Sequence, residues 1–161
     1  MSINICIVSY YGPKETIGFA EQAMKMHGKI DNVYDFPLFQ YMHDINSKII
    51  NYVDKMIEFI KVNNITHLLW WFINIPTDEF IKIKNLTKIK YLFFNWDEPF
   101  NWEHCDIKNK ASYFDAVFVT CKETLVDYID HGCEHAYCLY PGFSEKNNFI
   151  IKEIDITDYN K

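Results

Sequence analysis

Short apolar runs alternate along the chain with longer segments whose apolar residues recur at helical spacing. NVYDFPLF predicts a weaker second strand, and HAYCLYPG predicts a sixth strand and a turn. Four stronger runs predict buried strands: NICIVSYY (4–11), HLLWWFI (67–73), KYLFFNW (90–96) and AVFVTC (116–121). Because helical patterns lie between these runs, the sequence predicts an α/β protein with a Rossmann-like, doubly wound, mostly parallel six-stranded sheet and helices on both faces.

Capping signals mark the boundaries of the predicted helices. Asp44 is positioned to cap the clearest of them, which carries isoleucine and methionine at helical spacing. After the fifth strand, Thr120 and Glu123 form an S/T-x-x-E capping box, and Gly132 is predicted to end the helix that follows. The helices before the fifth strand are predicted over residues 15–28, 44–64 and 77–87.

The predicted topology indicates where a ligand would bind. The doubly wound order 3-2-1-4-5-6 would place the topological switch point between the first and fourth strands. Ligands of such sheets bind outside the carboxyl ends of the strands that flank this point. These ends carry SYYGPK (9–14) and NWDEPF (95–100), so we expect both segments to line a crevice.

The stretch FFNWDEPFNWEHC, from Phe93 to Cys105, concentrates reactive side chains at this predicted crevice. Asp97 and Glu98 leave the fourth strand directly into Pro99, which restricts Glu98 to extended geometry. Adjacent carboxylates on extended backbone point in opposite directions, so they are not expected to act as one acid–base pair. One would face the crevice as a base or as an acceptor for sugar hydroxyls; alternatively, both cap the next helix. Asp97 is the first candidate for a catalytic residue.

Neighbouring side chains supply further candidates. Trp96 and Trp102 would stack on a sugar or a base, although a tryptophan at a strand end suits core packing equally well. His104 is a candidate general base near neutral pH, or alternatively a solvated surface residue.

The first strand-to-helix turn, SYYGPKET, lacks the G-x-G-x-x-G pattern of dinucleotide-binding folds. A ligand would still fit near Tyr11 and Gly12, with Lys14 and the following helix N-terminus close to an anionic group. The alternative is an ordinary turn between a strand and a helix.

Composition narrows the classes of partner. The net charge is −6 and every basic residue is lysine, so a nucleic-acid partner is disfavoured. No apolar run approaches the ~20 residues that cross a bilayer, and the N-terminus lacks signal-peptide features, which together predict a cytoplasmic protein. Five cysteines in no regular framework predict reduced thiols, and the spacing in HGCEHAYC does not match a common zinc site, so no metal is expected.

Three segments together resemble a known family. FFNWDEP, YFDAVFVTCKETLVDYIDHG and YCLYPGFSE are similar to the N-terminal half of GT-B-fold glycosyltransferases, and specifically to the CgeB-like spore-maturation group. The resemblance covers roughly residues 66–145. The residues that match the family's acidic element, fifth strand and final turn are Phe94, Trp96, Asp97, Glu98, Pro99, Asp115, Val117, Phe118, Thr120, Pro141 and Gly142.

This resemblance implies a function. Residues 1–143 would form a Rossmann-like, acceptor-side domain, and residues 144–161 an extended tail or linker toward a C-terminal domain that holds the donor. The partners would be a sugar or glycan acceptor and a nucleotide sugar, which is a co-substrate rather than a tightly bound cofactor. Tyr11, Gly12, Lys14, Trp96, Asp97, Glu98, Thr120, Pro141 and Gly142 would contact substrate.

The main departure from the family pattern is that the second domain is missing. An isolated acceptor-side half would lack most donor contacts and is expected to be inactive or weakly active. The alternative function is a non-catalytic Rossmann-like module that binds a small ligand or a protein. The high aromatic content, 17%, would then serve an interface, for example that of a homodimer.

Overall fold

The computed structural model describes residues 2–9, 28–42, 51–71, 73–96 and 100–139. Within them, six strands form one all-parallel sheet in the order β2-β1-β3-β4-β5-β6. The protein therefore has the Rossmann-like α/β fold that the alternation of apolar runs predicts. The strands are β1 (Asn4–Ser9), β2 (Asn32–Pro37), β3 (His67–Trp70), β4 (Lys90–Asn95), β5 (Ala116–Val119) and β6 (Ala136–Cys138).

Helices connect the strands in the described part of the chain. None of these helices combines the length and the apolar character that crossing a bilayer requires. The helix predicted over 15–28 lies outside the described residues except for its last position. The described α-helices are α1 (Leu38–Met42), α2 (Tyr52–Val62), α3 (Thr77–Thr87), α4 (Phe100–His104) and α5 (Leu125–Asp130).

The strand order differs from 3-2-1-4-5-6. β1 pairs with β2 on one side and with β3 on the other, so the switch point lies between β1 and β3. The physical reason is burial: β3 is continuously apolar and takes a central position, whereas the half-exposed β2 lies at the edge. The carboxyl end of β4 is consequently one strand spacing, ~4.8 Å, farther from β1 than expected.

Side chains alternate between the two faces of the sheet. On the first face, the strands pack against residues of α2, α3 and α5, and Trp70 and Phe93 lie fully buried among them. The second face carries a separate, smaller cluster that includes Ile7, Leu69 and Phe94. The helices described here thus cover one face of the sheet.

The side chain of Asn51 caps the start of α2. Asn51 is non-helical, with ψ of 83°, and its side chain accepts a hydrogen bond from the Asp54 N–H at 3.2 Å. The cap predicted at Asp44 lies outside the described residues, and the described helix begins only after Asn51.

The two ends of α5 differ in how well the sequence predicts them. The capping box of Thr120 and Glu123 does not form, because a single 3-10 turn at Lys122–Thr124 precedes the helix. The end at Gly132 is confirmed, with φ of 89°. The N–H groups of Cys133 and Gly132 bond to the carbonyls of Tyr128 and Ile129, at 2.9 and 3.0 Å, which is the Schellman pattern.

An ion-pair network joins three elements at the amino ends of the strands. Asp115, just before β5, contacts Lys84 of α3 and Lys90 of β4, each at 2.6 Å, and accepts the Tyr91 N–H at 2.8 Å. Partial burial alone would raise the pKa of Asp115, but these hydrogen bonds outweigh it and lower the pKa to about 2. The carboxylate therefore ties α3, β4 and β5 together at the edge opposite the predicted crevice.

Candidate functional site at the carboxyl ends of the strands

The predicted site residues divide into two groups. Trp96, His104 and Thr120 are described, and their surroundings are given below. The remaining candidates lie outside the described residues: Tyr11, Gly12, Lys14, Asp97, Glu98, Pro141 and Gly142.

A polar cluster closes the loop that contains the acidic element. Asn95, the last residue of β4, is 1% exposed, and its side-chain amide donates to the Tyr128 hydroxyl at 2.9 Å. Its side-chain oxygen accepts a hydrogen bond from the side-chain amide of Asn101 in α4, also at 2.9 Å. The two residues that flank the WDEPF segment (96–100) are thus joined directly by the hydrogen bond between the side chains of Asn95 and Asn101. We call Asn95, Asn101 and Tyr128 the asparagine clamp.

Aromatic rings form a shelf beside this loop on the second face. The Trp96 ring packs against Phe94, with centroids 4.6 Å apart, and against Trp71, with centroids 5.2 Å apart. Trp71 and Phe94 also contact each other at 5.1 Å. Trp96 is 36% exposed, so one part of its ring is held by the two neighbours while the rest remains open to a ligand. We call these three residues the aromatic shelf.

Trp71 is the residue of this shelf that the site prediction from the sequence missed. The sequence feature that could have identified Trp71 is the Trp70–Trp71 doublet, because alternation along a strand places one indole on each face of the sheet. Trp70 is fully buried on the first face, and Trp71 supports Trp96 on the second. The doublet alone did not show that β3, rather than β1, is the neighbour of β4.

Thr120 lies next to the shelf. Its hydroxyl donates to the Trp96 carbonyl at 3.4 Å, which links the carboxyl ends of β4 and β5. Thr120 is half-buried, so part of its surface remains accessible.

Trp102 and His104 differ from Trp96 in their surroundings. Trp102 packs edge-on against Tyr128, with centroids 5.0 Å apart, and against His131 at 5.1 Å. It is a packing residue, as the alternative interpretation of its position states. His104, the last residue of α4, is exposed, and its ring stacks on Phe100 at 5.3 Å.

A buried lysine, Lys110, bonds to the backbone just after α4. Lys110 is 1% exposed, and its ammonium group donates to the Cys105 carbonyl just beyond the end of α4. Burial lowers the pKa of this lysine, and the nearby Asp106 opposes the shift. A cation at the C-terminal end of a helix interacts favourably with the helix dipole.

The carboxyl end of β1 is polar and tied to β2. Ser9 is 1% exposed and donates to the Asp35 carboxylate at 2.9 Å. Both residues lie on the second face, Ser9 on β1 beside the switch point and Asp35 on the edge strand β2.

Cys6, Cys121 and Cys133 do not have the lowered pKa of a nucleophilic thiolate. Burial raises the pKa of Cys6 and of Cys133, and the hydrogen bond to Glu123 raises the pKa of Cys121. In residues 2–9, 28–42, 51–71, 73–96 and 100–139, no group of three or more His, Cys, Asp or Glu side chains is arranged to hold a metal ion. The described part of this edge therefore offers aromatic, amide and hydroxyl groups.

No known protein-family model matches the chain, and no curated protein matches it significantly.

Proposed function

We propose that the chain is the acceptor-binding, N-terminal domain of a nucleotide-sugar-dependent glycosyltransferase, inactive or weakly active without a donor-binding domain. The observation that carries the proposal is the combination at the end of β4: a supported, partly exposed Trp96 directly precedes a loop whose ends are joined by the asparagine clamp. A flat aromatic ring suits the apolar face of a sugar, and the polar groups nearby suit its hydroxyls.

In this proposal Asp97 is the base that accepts the proton of the acceptor hydroxyl. The oxygen then forms the new bond to the anomeric carbon of the donor, and the nucleoside diphosphate leaves with the electron pair of the broken bond. Glu98, Thr120, Pro141 and Gly142 would also contact the substrate. Tyr11, Gly12 and Lys14 would contact substrate from the β1 side. No tightly bound cofactor is part of this proposal.

Asp97→Asn tests the catalytic part of this proposal. In the longest native form of the protein, we expect the variant to lose transfer activity by about 100-fold or more, because the amide cannot accept the proton. Transfer is measured with a panel of nucleotide-sugar donors. Unchanged activity would remove Asp97 from the mechanism, and Glu98→Gln shows whether the loss is specific to one carboxylate.

Trp96→Ala tests the binding part. We expect affinity for the acceptor to fall about tenfold, or ~1.4 kcal/mol, because the stacking surface is removed. Binding is measured by calorimetry with a panel of methyl glycosides and short oligosaccharides. Trp102→Phe is the matched control, since this ring packs on Tyr128, and it should leave the affinity unchanged. Equal losses in both variants would contradict a specific platform at Trp96.

The alternative, a non-catalytic ligand- or protein-binding module, is favoured by a different observation. Two large apolar side chains on the second face, Tyr137 and Leu139, are each 51% exposed. Calorimetry with the same panel of glycosides, combined with a sizing column, distinguishes the two functions. A dimer that binds no glycoside would support the alternative.

A further inference from the structure

The side chains at the carboxyl edge of the sheet continue beyond Trp96 toward β1 and β2. The Trp71 N–H donates to the Val8 carbonyl at 3.1 Å, so Trp71 is bonded to β1 just past the last paired residue of β3. Because the register pairs Trp70 with Val8, Trp71 lies level with Ser9. Trp71 is therefore at the switch point between β1 and β3, which is where sheets of this kind bind ligands.

Trp71 gives the aromatic shelf a second indole surface beside Trp96. The centroids of the two rings are 5.2 Å apart, and the ring planes are inclined by 51°. Both side chains are accessible in part, since Trp96 is 36% exposed and Trp71 is half-buried. Two adjoining aromatic surfaces suit a ligand that itself contains more than one ring.

Polar groups lie at both ends of the shelf. At the β5 end, the Thr120 hydroxyl donates to the Trp96 carbonyl at 3.4 Å. At the other end, the Asp35 carboxylate accepts the Ser9 hydroxyl at 2.9 Å. Ser9 is 1% exposed and positions the carboxylate, whereas Asp35 is half-buried and keeps part of its surface accessible. An aromatic floor between a hydroxyl and a carboxylate matches a carbohydrate, which has apolar ring faces and a rim of hydroxyls.

The distance between these two polar ends exceeds the size of one sugar. The strands run in the order β2-β1-β3-β4-β5, so Asp35 and Thr120 lie on strands that are four spacings apart, ~19 Å. A single pyranose ring covers only part of this width. We propose that the acceptor is an oligosaccharide rather than a single sugar, with one unit on Trp96, the next on Trp71 and the hydroxyls of a farther unit at Asp35.

This inference rests on the proposed acceptor-binding function and adds to it the length of the acceptor. Trp71 and Asp35 are then residues that determine specificity for acceptor length, because a single sugar on Trp96 touches neither of them. The affinity of the site should therefore increase with the number of sugar units, and substitutions at Trp71 or Asp35 should affect only the longer ligands.

Calorimetry with the full chain tests the dependence on length. The ligands are the methyl glycosides of glucose, galactose and N-acetylglucosamine, and the 1,4-linked disaccharide and trisaccharide of each sugar. For the sugar that binds, we expect the affinity to rise about tenfold or more from the methyl glycoside to the trisaccharide, because each added unit contributes stacking or hydrogen bonds.

Trp71→Leu should abolish the gain that the second sugar unit contributes. We expect the affinity for the methyl glycoside to change by less than about threefold, because Trp96 still offers its ring. Trp71→Phe keeps a flat aromatic surface and should restore most of the gain. Equal losses for the methyl glycoside and the disaccharide in Trp71→Leu would show that Trp71 only supports Trp96, and would overturn its role in reading acceptor length.

Asp35→Asn is a second variant that preserves the packing, because the amide oxygen can still accept the Ser9 hydroxyl. We expect the affinity for the trisaccharide to fall about fivefold, because a charged acceptor of sugar hydroxyls is lost, while the affinity for the methyl glycoside stays the same. Asp130→Asn is the matched control: this carboxylate is exposed on α5, and its loss should change neither affinity.

Two further outcomes separate this inference from the proposed function. Equal affinities for the methyl glycoside and the trisaccharide, or a gain with length that survives both Trp71→Leu and Asp35→Asn, would overturn the inference and leave the acceptor site at Trp96 in place. Binding of no glycoside of any length by the wild-type chain would overturn the proposed function, and this inference with it.

Discussion

Replacing Asp115 by asparagine is expected to lower the free energy of unfolding by about 2 kcal/mol near neutral pH. The variant loses two charge-assisted contacts, to Lys84 and Lys90, while a side-chain oxygen remains to accept the Tyr91 N–H. Solvent screening is strongest on the side of Lys90, which is 63% exposed, so most of the loss should come from Lys84, which is 21% exposed. Chemical denaturation followed by circular dichroism measures the change.

The effect of Asp115→Asn should depend on pH in a defined direction. The pKa of Asp115 in the folded protein, about 2, lies below its ordinary value of 3.8. Its contribution to stability is therefore fully present above pH ~4 and is lost as the pH falls toward 2. The difference in stability between wild type and variant should shrink across this window. A difference that stays constant from pH 6 to pH 2 would contradict the role of the charge.

Asp54→Asn is the matched control for this prediction. Asp54 also faces a lysine, Lys82, but at 3.8 Å and with a side chain that is 65% exposed. An ion pair of this kind contributes little, so the change should stay within about 0.5 kcal/mol. Equal effects of the two substitutions would mean that the network around Asp115 gives no particular stability.

Asp115 and Thr120 lie at opposite ends of one sequence segment and have different surroundings. Asp115 belongs to the YFDAVFVT segment that resembles the glycosyltransferase strand, yet it lies at the amino end of β5. Thr120, at the other end of the same segment, lies at the carboxyl edge beside Trp96. A single motif thus supplies a residue that holds the sheet together at one edge and a residue that contacts Trp96 at the opposite edge.

Local sequence patterns predicted the helices and strands well, because the burial of apolar residues determines both the pattern and the element. The helix expected over 77–87 is α3 with the same bounds, since its buried Phe80 and Ile83 keep helical spacing. β2, β3, β4 and β5 were predicted at their correct places but one to three residues too long. Apolar residues such as Trp96 continue past the last paired position and pack on the sheet without belonging to it.

Strand order and cross-strand contacts were the parts that local patterns did not determine. Pairing between β1 and β3 joins residues about 60 positions apart, and a parallel partner leaves no signal in either strand alone. For the same reason, the contact between Trp71 and Trp96 and the bond between Asn95 and Tyr128 were not predicted. The sequence did identify the end of β4 as the unusual segment, and its described residues do carry the shelf and the clamp.

Replacing Asn95 by alanine is expected to lower the free energy of unfolding by about 2 to 3 kcal/mol. The side chain is buried and serves two described partners, so its removal leaves the Tyr128 hydroxyl and the Asn101 amide without these hydrogen bonds in the interior. Tyr128→Phe removes only the hydroxyl and should lower stability by about 1 kcal/mol. Because the two side chains share one bond, the double variant should be less destabilised than the sum of the single ones.

The same set of single and double variants shows whether the asparagine clamp holds the segment that precedes α4. Hydrogen exchange of residues 96–101 should accelerate in Asn95→Ala and much less in Tyr128→Phe, because only the first change breaks the Asn95–Asn101 bond. Asn109→Ala is the control: it removes an exposed amide hydrogen bond, to Asp106 at 2.7 Å, and should change stability by less than about 0.5 kcal/mol. Additive effects in the double variant, with unchanged exchange in residues 96–101, would show that Asn95 is an ordinary buried residue. Coupled effects with faster exchange would identify it as the side chain through which the end of β4 fixes the acidic loop.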